Sequence, residues 1–206
     1  LSSTPGRSLV VAGQHLPAAA QALVHAINDV LGNTGMTVSY LPPPEAVAPL
    51  GDPLSELAAE MRAGQVSALF MLGVNPVHTA AAGTGFAAAL SQVPFSVHLG
   101  MYQDETSALS TWHLPQAHFL ETWTDLRAYD GTTTIAQPLI QPFYGGLTEA
   151  QVLAALNGDT ESGAYQLLNS YWSGRVSGSY SSFWRNSLYA GSVAGSASVP
   201  VSPALQ

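Results

Sequence analysis

Short apolar runs, each closed by a turn-forming residue and followed by a segment of helical periodicity, set the strongest limit on how this chain can fold. SLVVAG (8–13) leads into PAAAQALVHAINDVLGN, where Ala19, Leu23, Ile27 and Leu31 fall at helical spacing behind Pro17. Gly32, Asn33 and Gly35 end that run. TVSYL (37–41) reads as a second strand, and Pro42, Pro43 and Pro44 break the chain after it. DPLSELAAEMRAG (52–64) begins with an Asp cap at Asp52, has Pro53 at the first helical position and closes on Gly64. The SALFML run is a third strand, GFAAALSQ (85–92) a short helix, and FSVHLG (95–100) a fourth strand.

Strands that are apolar throughout and alternate with helices belong to a parallel sheet covered on both faces. The expected fold is therefore α/β, a doubly wound, mainly parallel sheet with a small C-terminal helical appendage. TEAQVLAALN (148–157), AYQLLNSYW (164–172) and SSFWRNSLY (181–189) supply three helices with aromatic anchors. The expected organisation is a disordered or cut N-terminal tail over 1–8, an α/β domain over 9–146, a helical extension packed on it over 147–190, and a flexible tail over 191–206.

Composition narrows the functions. Only 9% of the 206 residues are charged, against about 25% in an ordinary soluble domain, which suggests that part of the surface is covered by something else. There is no lysine, and Arg7, Arg62, Arg127, Arg175 and Arg185 are scattered along a chain of net charge −8. Such a chain has no basic face for a phosphate backbone, so nucleic acid is excluded as a partner. No apolar run approaches the roughly 20 residues of a membrane span, and the opening residues lack the regions of a signal peptide. LSSTPGRS, which does not open with Met, is expected to be an internal cut in a longer protein. The absence of cysteine excludes disulfides, Cys-ligated metals and a thiol nucleophile within these residues.

In a doubly wound sheet, ligands bind beyond the carboxyl ends of the strands. LFMLGVNPVHTA (69–80) ends such a strand in an abrupt Gly-x-Asn-Pro turn. Gly73 lets backbone come close to a ligand, the Asn75 amide both donates and accepts, and Pro76 fixes the exit. A tight turn with no ligand uses the same residues, so the turn alone leaves both readings open.

Other constellations are weaker. GTGFAA (83–88) matches a dinucleotide fingerprint but lies about ten residues beyond its strand, where the true fingerprint follows directly. His113 and His118 are five apart across a proline, which is not the spacing of a helical zinc pair; His98 and His25 read as hydrogen-bonded core histidines. Glu121, Asp125 and Asp130 read as solvated or paired with Arg127, and Trp172, Trp184 and Tyr189 as packing residues or an interface anchor. No P-loop or Gly-x-Ser-x-Gly elbow is present.

Four segments in order, ALVHAINDVLGNTG (22–35), ALFMLGVNPVHTA (68–80), FSVHLGMYQDETS (95–107) and WHLPQAHFLE (112–121), together resemble the molybdopterin oxidoreductase family. LRAYDGTTTIAQPLIQPFYGG and FWRNSLYAGSVAGSA look closest to one branch, the molybdopterin-like subunit of alternative complex III and its Tat-translocated, polysulfide-reductase-like relatives. The resemblance implies a Rossmann-like domain. In cofactor-bearing members it implies that Gly73, Asn75, Pro76, Asp104, Glu105 and Thr106 would line the site of the guanine dinucleotide arm of a molybdenum cofactor. This chain has Ser110-Thr111-Trp112-His113-Leu114-Pro115 where those members usually read Ala-Asp-Val-Val-Leu-Pro, and ETWTD where a Gly usually follows the Glu. Both departures resemble the branch that keeps the fold without the cofactor.

The expected function is thus a structural domain, without cofactor or catalytic residues of its own. It would belong to a subunit of a membrane-associated, quinol-oxidising electron-transfer complex. Its partners would be the rest of the parent chain and other subunits, on the periplasmic side of the cytoplasmic membrane and with no span of its own. The alternative is the cofactor-bearing domain of a catalytic molybdenum oxidoreductase holding molybdopterin guanine dinucleotide. On the structural reading, Trp112 and His113 are both expected to turn inward and fill the space of the dinucleotide.

Overall fold

The computed structural model describes residues 1, 3–13, 15–42 and 53–202; the expected cap Asp52 and the prolines Pro43 and Pro44 lie outside the described residues. The described residues form two compact units. One is drawn from Leu1–Val47, Arg127–Thr132 and Gly195–Gln206, the other from Ala48–Leu126 and Thr133–Ala194.

In the first unit, α1 (Ala18–Val30) starts at Pro17 as expected. The face it buries is not the expected one. Leu23 and Ile27 are exposed, and the helix instead buries Asn28. The reason is the segment at 8–13, which forms no regular secondary structure and pairs with no strand. Val10 donates its N–H to Asn28 Oδ1 at 3.0 Å and accepts from Asn28 Nδ2 at 2.7 Å. Asn33, with no exposed surface, donates to Asn28 Oδ1 and accepts from the Ser8 hydroxyl. Two carboxamides thus serve backbone groups that a neighbouring strand would otherwise pair. TVSYL forms no strand either; the region makes only the isolated bridges Thr34–Val38 and Tyr40–Val201.

The second unit has the α/β architecture. α2 (Pro53–Arg62) opens on proline and closes at Gly64, where Gly64 N–H donates to Met61 O and Gln65 N–H to Glu60 O. Strand β1 (Ala68–Leu72) is followed by the one-turn α3 (Pro76–Thr79), a 3-10 turn at Ala82–Thr84 and α4 (Phe86–Leu90). Next come β2 (Phe95–Gly100), α5 (Glu105–Leu109) and β3 (Trp112–Pro115). The three strands form a parallel sheet in the order β1-β2-β3, with Phe70 opposite Val97 and Val97 opposite Trp112. Leu69–Leu72 and Ser96–Leu99, expected as adjacent central strands, are adjacent, but β1 is an edge strand of this sheet.

Side chains alternate across a strand. One sheet face carries Leu69 and Met71, which pack on α2 and α4 through Ala58, Met61, Phe86 and Leu90. On β2 and β3 the same face carries the polar set Ser96, His98 and His113. The opposite face carries Phe70, Val97, Trp112 and Leu114, with Val152 and Leu156 of α6 (Glu149–Leu156) lining the same apolar cleft of about 470 Å³. Trp112 and His113 therefore cannot both turn inward: neighbouring strand residues point to opposite faces, and Trp112 is 60% exposed.

A two-stranded antiparallel sheet follows, β4 (Thr124–Arg127) with β5 (Thr133–Ala136). α7 (Ala164–Ser173) and α8 (Tyr180–Ala190) pack with it around Ile135, Leu168, Trp172, Phe183 and Trp184. Trp172 and Trp184 are packing residues as expected, whereas Tyr189 is 94% exposed and outside that cluster.

Candidate functional site

The loops leaving β1 and β2 meet at the carboxyl edge of the sheet, and they carry Gly73, Asn75, Pro76, Asp104, Glu105 and Thr106. Gly73 has φ +65°, a conformation that glycine adopts without the penalty of a Cβ. Its N–H donates to Leu99 O at 2.8 Å, tying the turn to β2. A Cβ here would lie 2.9 Å from Glu149 Oε1, a carboxylate held by Gln116 Nε2 at 2.6 Å. The close approach that glycine permits is therefore made by α6's own side chain.

Asn75 caps α3, its Oδ1 accepting from His78 N–H, with Pro76 at the first helical position. Asp104 caps α5 in the same way, accepting from Ser107 N–H at 2.9 Å. The two caps are latched together. Asn75 Nδ2 donates to Glu105 Oε2 at 2.8 Å, and Thr106 Oγ1 donates to Asn75 Oδ1 at 2.7 Å while accepting from Val77 N–H at 3.1 Å. Thr106 has no exposed surface. The Asn75 amide holds the Glu105 carboxylate below the usual carboxylate range, helped by Glu105's own backbone and by His78.

Behind the latch lies a second polar group that the sequence shows only as two separate histidines. His98 is 1% exposed. Its Nε2 lies 3.0 Å from the Val74 carbonyl and its Nδ1 3.1 Å from His113 Nδ1, with Asp104 Oδ1 at 3.8 Å. A carbonyl only accepts, so Nε2 carries the proton; in the neutral ring Nδ1 is then the acceptor and His113 Nδ1–H the donor. Gly100 makes room for this ring, since a Cβ there would meet His98 Cε1 at 2.5 Å. Burial, and then the neighbouring His98, push the His113 imidazole below its ordinary value, against a smaller opposing pull from Asp104.

Other candidates fall elsewhere. His118 accepts from Leu120 N–H, and Glu121 accepts from His118 N–H and Phe143 N–H, so both shape a loop. Asp125 accepts from Trp172 Nε1 at 3.0 Å and Asp130 from Thr132 N–H. In GTGFAA, Gly85 caps α4 rather than closing a strand. Among the described residues no group of three His, Cys, Asp or Glu could hold a metal ion, and no helix is long and apolar enough to cross a membrane.

No known family profile matches this sequence, and no curated protein matches it. Among solved structures, acetylene hydratase from Pelobacter acetylenicus is similar at a TM-score of 0.49 and 20% identity. The match takes in 56% of this chain and 18% of that one, so this chain spans less than a fifth of that protein's length.

A guanine dinucleotide arm does not suit the residues at this edge. The Asn75 carbonyl already accepts two bonds, and the Thr106 hydroxyl both donates and accepts within the protein. The space over Gly73 holds the Glu149 carboxylate. Asp104, Glu105 and Glu149 make the edge acidic, the wrong sign for a diphosphate.

Proposed function

We propose that this chain is a structural and assembly domain of a molybdopterin oxidoreductase-like subunit, without a cofactor of its own. The subunit would belong to a membrane-associated, quinol-oxidising electron-transfer complex and lie on the outer side of the cytoplasmic membrane. The ordered set of four motifs supports the family reading. The Asn75–Glu105–Thr106 latch carries the structural one: at the position where related domains would hold a ligand, the polar groups are spent on holding two strand-end loops together. A set of exposed apolar residues supports the assembly role. Leu139 and Ile140 donate backbone N–H groups to Leu120 O, which gathers exposed side chains of Leu120, Leu139 and Ile140 near Phe119, on a surface suited to partner subunits.

The test is thermal unfolding of the chain with and without a guanine nucleotide, together with metal analysis for molybdenum and tungsten. A ligand at a hundred times its dissociation constant stabilises by about 2.7 kcal/mol, which is several degrees for a chain of this size. No metal and no shift is the expected result. A shift of several degrees that Glu105→Gln abolishes would overturn the reading in favour of a cofactor-bearing domain.

A further inference from the structure

The His98–His113 pair does more than fill a polar spot in the core. Through Nε2–H, His98 holds the Val74 carbonyl in the loop after β1; through Nδ1 it holds β3 by way of His113. Two imidazole nitrogens 3.1 Å apart need one proton between them, and they tolerate only one. In the neutral pair, His113 Nε2 is the lone pair left free, so a first added proton goes there and the Nδ1–H···Nδ1 bond stays intact. The second can go only to His98 Nδ1, where it would face the His113 Nδ1–H head-on.

We propose that His98 and His113 form an acid-released clamp, which couples β3 to the loop after β1 when the pair carries no more than one added proton and lets go on the second. The groups facing it are few. From the cap of α5, Asp104 Oδ1 stands 3.8 Å from His98 Nδ1, placed to take the Nδ1–H that a second proton creates. Among the described residues, the loop leaving β1 presents the Val74 carbonyl to His98. Farther along the same edge, Glu105 of α5 and His78 of α3 lie 3.7 Å apart and face each other, and Glu149 stands over Gly73. His113 is half-buried, whereas His98 is enclosed, so release moves His113. The downward pull on His113 from burial and from His98 agrees with a pair that resists charging.

Long-range proton–nitrogen spectra of the imidazoles, recorded on the full chain from about pH 8 down to about pH 4.5, span the ordinary imidazole range and test this. Near neutral pH His98 should be the Nε2–H tautomer and His113 the Nδ1–H tautomer. On acidification the pair should take its protons in two separate steps rather than one. The Val74 and Asn75 backbone amides should move with the second step and not the first. In His113→Asn the carboxamide donates at the same place and can turn its oxygen round to a protonated His98, so the second-step movement should vanish. Two independent titrations near the ordinary imidazole value, or His98 in the other tautomer, would overturn the proposal. If His113→Asn does not fold, the wild-type titration decides alone.

Discussion

Thr106→Val isolates the latch, because valine keeps the shape of threonine and removes only its hydroxyl. The hydroxyl donates to Asn75 Oδ1 and accepts from Val77 N–H, and the residue has no exposed surface. Each of the two bonds contributes about 1 kcal/mol net, and leaving the Val77 N–H without a partner adds to that, so the expected loss is about 2–3 kcal/mol. For a chain of this length that lowers Tm by roughly 4–12 °C. Amide hydrogen exchange gives the local readout: the Val77 N–H should exchange at least roughly thirtyfold faster, the equivalent of about 2 kcal/mol. Thr106→Ser is the control. It keeps both bonds and loses one methyl group, so it should cost only about 1 kcal/mol and leave Val77 protected. Valine tolerated as well as serine, or unchanged Val77 exchange, would show that the Thr106 hydroxyl does not hold the two loops together.

Three further outcomes concern the same edge and its neighbours. Gly73→Ala places a Cβ at φ +65° and against Glu149 Oε1, so denaturant unfolding should show a loss of about 1–3 kcal/mol, of which Glu149→Ala in the same chain restores only the steric part. The Glu105 carboxyl is lowered in the folded state, so its contribution is complete above its unfolded value and is lost as pH falls through the folded one; carbon-detected titration of its carboxyl should show the lowered midpoint, and Asn75→Ala should raise it. Thr148 and Gln151 form a reciprocal capping box at the start of α6, and Thr148→Ala should lower stability by about 1 kcal/mol in a denaturant titration.

The parts of the fold that the sequence disclosed are those where a single local signal decides the outcome. β1 and β2 are apolar runs bounded by Gly, and α2 and α6 carry Pro or Thr at their starts, so their places follow from the residues themselves. SLVVAG misleads because apolar character says that a segment is extended and partly buried, not what pairs with it. Its partners are the side chains of Asn28 and Asn33, one of them in the last turn of α1, where nothing local announces the role. β3 is only four residues long and ends in proline, and it forms because β2 lies beside it. The site shows the same division. Asn75, Asp104, Glu105 and Thr106 are legible as loop residues at strand ends, and the structure brings them together. That they cap two short helices and bond to each other depends on the sheet register, as does the meeting of His98 with His113.

The carboxamides that stand in for a strand beside Val10 have a consequence for how this protein ages. Backbone ladders are chemically inert on the timescale of a protein's life, but an asparagine amide hydrolyses slowly to a carboxylate. If Asn28 became aspartate, the nitrogen that donates to Val10 O would be replaced by an oxygen that cannot, while a new negative charge would sit in a position with 2% exposure. The attachment of the 8–13 segment is therefore under a slow chemical clock that a paired strand would not carry. Loosening of that segment on storage should follow the accumulation of a one-dalton mass gain at Asn28 or Asn33.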